Sequence, residues 1–143
     1  MYGRETMNNN KPQNVFVYGS LKKGFGNHDF VADQNFLGSA KTSSSDYMMI
    51  SLGAFPAVCP YPGAYKVTGE VYEVDPYTMH ALDQLEGNGR LYNREQRDFI
   101  LDSGRSVKAW VYLMNINVAK QLFSKNNTRA SSVQKDGDSL VWL

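Results

Sequence analysis

The sequence predicts a single α+β domain in which a mixed, curved or barrel-like β-sheet carries one main helix and short helices. Three observations support this prediction. Short runs of β-branched and aromatic residues recur along the chain, one helix has clear start and stop signals, and no repeat or linker divides the sequence. With 143 residues, the chain suffices for one domain and leaves little room for a second.

The predicted strands are separated by segments rich in Gly, Pro, Ser and Asn. The run Val15-Phe16-Val17-Tyr18 is stopped by Gly19, as expected of a buried strand, and Val67–Val74 alternates as a strand does. Arg94–Leu101 and Val107–Met114 are predicted to form a hairpin. Further strands are predicted over Phe36–Ala40, Tyr47–Leu52 and Leu140–Leu143. Lys41–Asp46 is predicted to be a loop or the end of a strand, and the chain between Gly53 and Gly63 to be irregular.

The main helix is marked by Asp75-Pro76. Asp is a favoured N-cap and Pro is favoured at the first helical position, so the helix is predicted to run from Pro76 to about Leu85 or Glu86 and to stop at Gly87. Shorter helices are predicted over His28–Gln34, with Asn27 as the cap, and near Val118–Phe123.

Charge and composition exclude several classes of protein. A net charge of +1, from 15 basic and 14 acidic residues, gives no basic excess for binding nucleic acid. Cys59 is the single cysteine, so no internal disulfide is possible, and no Cys/His cluster has metal-ligand spacing. No apolar stretch approaches the roughly 20 residues that cross a bilayer. We expect a cytoplasmic protein with no nucleic-acid or membrane partner, in which residues 1–13 form a flexible tail and residues 14–143 the domain.

Glu86 is the residue that stands out on the main helix. Met79, Leu82 and Leu85 mark an inward stripe, and Glu86 follows Leu82 by four residues, so it falls on the same stripe. Burial and the negative end of the helix dipole both raise the pKa of such a carboxyl, which suits a group that takes and returns a proton near neutrality. The alternative is a solvent-exposed residue at a fraying helix end. Asp83 points away from the stripe and is expected to be solvated.

The segment Tyr18-Gly19-Ser20-Leu21 follows the first predicted strand. Gly and Ser are small enough for a ligand to approach the main chain, and free backbone N–H groups there can hold a carboxylate or an oxyanion. The alternative is a tight turn that binds nothing.

Five short blocks follow one another in an order typical of one family. They are Val-Phe-Val-Tyr-Gly-Ser-Leu at 15–21, Gly-Glu-Val-Tyr-Glu-Val-Asp at 69–75, Leu-Asp-Gln-Leu-Glu-Gly at 82–87, Leu-Tyr-Asn-Arg at 91–94 and Ala-Trp-Val-Tyr at 109–112. This set resembles the γ-glutamylcyclotransferase-like proteins, and among them the γ-glutamylamine cyclotransferase branch.

The resemblance implies a small α+β fold and an enzyme, a transferase or lyase, that cleaves a γ-glutamyl amide by intramolecular cyclisation to 5-oxoproline and a free amine or amino acid. The substrate's own α-amine is the nucleophile, so no cofactor or metal is expected, and the protein is expected to act as a monomer or homodimer. The resemblance places the general acid and base at Glu86 and the substrate loop at Tyr18, Gly19, Ser20 and Leu21. Tyr92 and Tyr112 are expected to form hydrogen bonds with Glu86 or with the substrate. Arg94 is expected either to meet a substrate carboxylate or to form a structural salt bridge.

Two other functions stay open at this point. Cys59 with His28 or His80 would be a thiol nucleophile and its base, although the surrounding residues favour a small buried side chain. The same cavity would also serve a non-enzymatic module that binds a small carboxylate or regulates a partner.

Overall fold

The structure, a computed structural model, describes residues 11–126 and 133–143. The predicted tail lies mostly outside the described residues and stays a prediction. The strands are β1 (Gln13–Val17), β2 (Asn35–Thr42), β3 (Tyr47–Ser51), β4 (Pro56–Pro60), β5 (Lys66–Val74), β6 (Asn93–Leu101), β7 (Ser106–Leu113), β8 (Val133–Asp136) and β9 (Ser139–Trp142). The helices are α1 (Pro76–Glu86), α2 (Ile116–Asn126) and one 3₁₀ turn (His28–Phe30).

Five strands close into a barrel in the order β1-β7-β6-β2-β5, because β5 also pairs with β1. The β1–β7 pairing is parallel, and the other pairings around the barrel are antiparallel. β9 pairs in parallel with β5 and antiparallel with β8, while β3 and β4 form a separate hairpin. The predicted α+β domain with a barrel-like sheet is confirmed.

The second half of β1, Val15–Val17, is buried on both faces, which is why it is a continuous apolar run. Phe16 belongs to an apolar cluster to which all five barrel strands contribute, and its ring stacks on Phe99 at 4.2 Å between centroids. Val15 and Val17 belong to a second cluster, which also contains residues of α1. β1 is therefore held by neighbouring strands at both edges and by apolar side chains on both faces, and the segment that leaves it at Tyr18 has a fixed starting point.

Gly69 on β5 gives Phe16 its space. A Cβ atom at position 69 would lie 2.3 Å from the backbone oxygen of Val17 and 2.7 Å from Cζ of Phe16. Both distances are shorter than any van der Waals contact, so only glycine fits where β5 passes β1.

α1 begins and ends as predicted. The Asp75 carboxylate accepts a hydrogen bond of 2.7 Å from the backbone N–H of Thr78, and Gly87 ends the helix in the left-handed conformation at φ 61°. The predicted inward stripe is correct for Leu82 and wrong for Leu85, whose side chain is 40% exposed. Met79 and Leu82 belong to the apolar cluster that contains Val15 and Val17 of β1, and Leu85, one turn later, does not.

Some secondary-structure predictions were wrong in segments rich in Pro, Gly and Asn. The chain from Pro56 to Pro60 was predicted irregular and forms β4, whose only strand partner among the described residues is β3, so a proline at each end removes no essential ladder hydrogen bond. The helix predicted over His28–Gln34 is only the 3₁₀ turn His28–Phe30, and Asn27 does not cap it. The strand β8 was also not predicted.

Neither of the described helices, α1 and α2, is long and apolar enough to span a bilayer.

Candidate active site

A cavity of about 300 Å³ opens beside the end of β1. Its walls come from the segment after β1, the bend between β3 and β4, the end of α1, the chain before β6, and β7. The seven residues that the resemblance places in the site all line it: Tyr18, Gly19, Ser20, Leu21, Glu86, Tyr92 and Tyr112. Residues distant in sequence thus meet at one concave site of a size suited to a small ligand.

Glu86 brings an ionisable carboxyl to this cavity from the last turn of α1. Burial raises the pKa of this carboxyl from 4.5 to about 7. Among the described residues that line the cavity, no other side chain is acidic or basic: the lining contains no Asp, Lys, Arg or His. A carboxyl that titrates near neutrality both accepts and returns a proton at physiological pH, which is the requirement for a general acid and base.

The segment Gly19–Leu21 offers hydrogen-bond donors to the same cavity. Within the described chain, the backbone N–H groups of Gly19, Ser20 and Leu21 donate to no backbone or side-chain acceptor. Successive free N–H groups form a site for an anion, either a carboxylate or a developing oxyanion.

The carbonyl groups of this segment are all engaged elsewhere. The carbonyl of Gly19 accepts from the N–H of Lys22 at 3.0 Å, and that of Ser20 accepts from the N–H of Asn27 at 2.9 Å. Nδ1 of His28 lies 3.0 Å from the carbonyl oxygen of Leu21 and must carry the proton, since that oxygen only accepts. Asn27, predicted as a helix cap, instead donates its side-chain N–H to Oγ of Ser20 at 3.0 Å. The bonds to the carbonyls of Gly19 and Ser20 fix the two peptide groups that carry the N–H groups of Ser20 and Leu21.

The three cavity tyrosines are each committed to a hydrogen bond with the protein. Tyr18 donates its hydroxyl proton to the carbonyl of Tyr112 at 2.7 Å, and Tyr92 donates to the carbonyl of Pro56 at 3.0 Å. Tyr112 donates to Oδ1 of Asp83 at 2.7 Å. None of these phenols gives its proton to Glu86, so toward a ligand each can only accept a hydrogen bond.

Asp83 is partly buried and held in a salt bridge, which corrects the prediction, made from the helical stripe, that it is solvated. Nε and Nη2 of Arg94 bind its two carboxylate oxygens at 2.8 and 3.1 Å, and the guanidinium stacks on the ring of Trp110 at 4.3 Å. The helical wheel showed that Asp83 points away from the stripe but could not show that β6 lies on that side. Arg94 therefore forms the structural salt bridge that was one of its two predicted roles.

Cys59 is unsuited to act as a nucleophile. Its side chain is fully buried in β4, burial raises the pKa of its thiol to about 12, and it does not line the cavity. A thiol in this state carries almost no thiolate at neutral pH. His80 is exposed on α1, and His28 is bonded to Leu21.

The raised pKa of Glu86 predicts a pH-dependent stability. Because the folded protein binds this proton more tightly than the unfolded chain, the native free energy of unfolding falls as pH rises from 4.5 to about 7. Replacing Glu86 by Gln removes the buried charge, so the variant is expected to be more stable than the native protein at pH 8, by up to about 3 kcal/mol. Near pH 4.5 the two should be equally stable. Urea unfolding at both pH values measures this, and an equal difference at both would contradict it.

Comparison with known proteins identifies the family of this chain. Residues 15–136 match the sequence model of the family described as gamma-glutamyl cyclotransferase, AIG2-like. A protein of Methanocaldococcus jannaschii, provisionally named a γ-glutamylcyclotransferase, is 41% identical over 99 residues, which are 68% of this chain and 81% of that protein. A γ-glutamylcyclotransferase family protein of Escherichia coli is 38% identical over 99 residues, 69% of this chain and 80% of its own.

A solved structure shows the same fold. The crystal structure of a mouse AIG2-like protein superposes with a TM-score of 0.67 at 31% identity, covering 73% of this chain and 78% of the mouse chain. Sequence and fold lead to the same conclusion: the chain belongs to the AIG2-like γ-glutamyl cyclotransferase family.

Proposed function

We propose that this protein is a γ-glutamylamine cyclotransferase, which converts a γ-glutamyl amide into 5-oxoproline and a free amine, with Glu86 as general acid and base. One observation carries the proposal: a carboxyl whose pKa is raised to about 7 shares a cavity with three backbone N–H groups that lack an acceptor in the described chain. A γ-glutamyl group has an amine to be deprotonated and a carboxylate to be held, and the cavity offers a partner for each.

The reaction needs one proton carrier and a folded substrate. The α-ammonium first loses a proton to solvent water, and the freed amine nitrogen then attacks the γ-carbonyl carbon, which closes a five-membered ring. As the new C–N bond forms, Glu86 takes a proton from that nitrogen and passes it to the departing nitrogen, whose bond to the carbonyl carbon breaks. The N–H groups of Gly19–Leu21 hold the α-carboxylate, which keeps the amine near its target. The nucleophile belongs to the substrate, so the protein supplies position and proton transfer.

The mouth of the cavity favours an amine as the leaving group. Phe55, Leu85 and Leu91 line it, and each side chain is 40% exposed. No lysine or arginine is among the described lining residues, so the carboxylate of a leaving amino acid placed there would have no cation to pair with. An apolar stem on the leaving amine would instead cover these three side chains.

The test is an assay for 5-oxoproline with a panel of γ-glutamyl amides that share the glutamyl half. The panel contains a γ-glutamyl alkylamine, γ-glutamyl-ε-lysine, a γ-glutamyl-amino acid and glutathione. We expect release from the γ-glutamyl amines first, at a rate that rises with pH through about 7 as the Glu86 carboxyl ionises.

An α-glutamyl isomer of one panel member is the matched control and should release nothing. The opposing result is binding of 5-oxoproline without release from any γ-glutamyl amide. That outcome would contradict the enzyme and favour a module that binds small carboxylates.

A further inference from the structure

Asp83 and Tyr112 join the helix that carries Glu86 to the barrel wall of the cavity. The hydroxyl of Tyr112 lies 2.7 Å from Oδ1 of Asp83, one turn before Glu86 on α1. Arg94 faces Tyr112 across the β6–β7 ladder and holds both oxygens of Asp83. Asp83 itself is not among the residues that line the cavity. Asp83 therefore holds Tyr112 to the end of α1 and does not itself line the cavity.

The chemistry of this contact decides where the phenolic proton lies. A carboxylate gripped by a guanidinium only accepts hydrogen bonds, and a phenol has one proton to give. The proton of Tyr112 therefore points to Asp83, and the hydroxyl can offer the cavity only lone pairs. Burial, followed by the bond to Asp83, raises the pKa of Tyr112, so the phenol keeps its proton at neutral pH.

The lining of the cavity thus combines donors with acceptors. The N–H groups of Gly19–Leu21 have no acceptor in the described chain, and Glu86 and Tyr112, which also line the cavity, each carry an acceptor oxygen. The charge of Glu86 contributes to the raised pKa of Tyr112. A γ-glutamyl amide donates hydrogen bonds from its α-amine and from its amide N–H, and the α-amine is the donor that belongs to the glutamyl half.

We propose that Asp83 is a positioning residue that makes Tyr112 a hydrogen-bond acceptor for the ligand's α-amine, an inference that rests on the proposed γ-glutamyl substrate. Replacing Asp83 by Asn removes the obligatory acceptor. The new amide can donate a hydrogen bond to the hydroxyl oxygen of Tyr112. The phenolic proton can then turn into the cavity, where it would repel the ligand's α-ammonium.

The test compares two ligands that differ by the amine. L-Glutamate carries the α-amine and glutarate lacks it, and calorimetry measures both affinities for the native protein, Asp83→Asn, Tyr112→Phe and the double variant. We expect Asp83→Asn and Tyr112→Phe each to weaken L-glutamate binding about tenfold and glutarate binding by less than about twofold. In the Tyr112→Phe background, Asp83→Asn should change neither affinity by more than about twofold.

A matched control is Asp98→Asn, which breaks an exposed ion pair with Lys108 on the same β6–β7 hairpin and should change neither affinity. Equal weakening of both ligands by Asp83→Asn, or losses that multiply in the double variant, would overturn the inference in favour of a structural role. A native protein that does not prefer L-glutamate to glutarate, or binds neither, would overturn it as well. Tyr112→Phe keeps the ring, so it tests the acceptor even where Asp83→Asn fails to fold.

The outcome is separable from that of the proposed function. Release of 5-oxoproline together with an unchanged preference for L-glutamate in Asp83→Asn rejects the role of Asp83 alone. A changed preference without any release rejects the cyclotransferase and retains the acceptor.

Discussion

Replacing Glu86 by Gln is expected to lower the release of 5-oxoproline at least ~100-fold, because general acid–base groups contribute factors of this size. The substitution keeps the shape of the side chain and removes only its capacity to take a proton. Glu86 ends α1 and its neighbour Gly87 completes the cap through backbone bonds, so the helix does not depend on the carboxyl. Turnover measured at saturating γ-glutamyl amide checks the prediction, and the KM should change much less than kcat.

Two further measurements make this result specific to Glu86. Glu73→Gln is the same chemical change on an exposed residue of β5, outside the cavity, and should leave turnover unchanged. The Glu86→Gln variant should also unfold cooperatively, with a melting temperature no lower than that of the native protein at pH 8. Equal turnover by the native protein and Glu86→Gln would remove Glu86 from the mechanism.

Replacing Gly69 by Ala is expected to cost at least about 3 kcal/mol of unfolding free energy, at the upper end of the effects of overpacking. The new methyl group would meet the backbone oxygen of Val17 and the ring of Phe16, at 2.3 and 2.7 Å. The ring is held against Phe99 and the oxygen belongs to β1, so neither can move without opening the barrel. A fall in Tm of about 10 °C is the corresponding calorimetric result.

Gly26→Ala is the matched control for this prediction. A Cβ atom at Gly26 meets nothing within 4 Å, and its backbone is not in the left-handed region, so the substitution should change Tm little. A Gly69→Ala variant as stable as Gly26→Ala would show that β1 and β5 can separate locally at no cost.

The sequence predicted correctly those helices and strands whose capping residues and hydrophobic pattern agree with their burial in the fold. The Asp75 cap, the Pro at the first helical position and Gly87 fixed α1 without tertiary information, and the apolar run of β1 reflects burial on both faces. β4 was missed because Pro and Gly dominate its surroundings, although Pro56 and Pro60 stand only at the two ends of the strand. Turn propensity is local, whereas the pairing with β3 is not.

The site was predictable in its residues and not in its connections. Glu86 could be found from its place on a helical stripe, even though Leu85, used to define that stripe, is 40% exposed. Asp83 was missed because its partners, Arg94 and Tyr112, come from strands later in the chain. A helical wheel shows which side chains share a face, but it carries no information about what packs against the opposite face.

The closure of the barrel around β1 has a consequence for how a ligand enters. Amide protons of Val15–Val17 should exchange with solvent only when the whole domain unfolds, since both edges of this strand are paired and these residues are at most 2% exposed. Ala54 and Phe55, which also line the cavity, belong to the bend of the separate β3–β4 hairpin, and their amides should exchange through local opening. We therefore expect the bend, and not β1, to be the part of the cavity wall that opens locally.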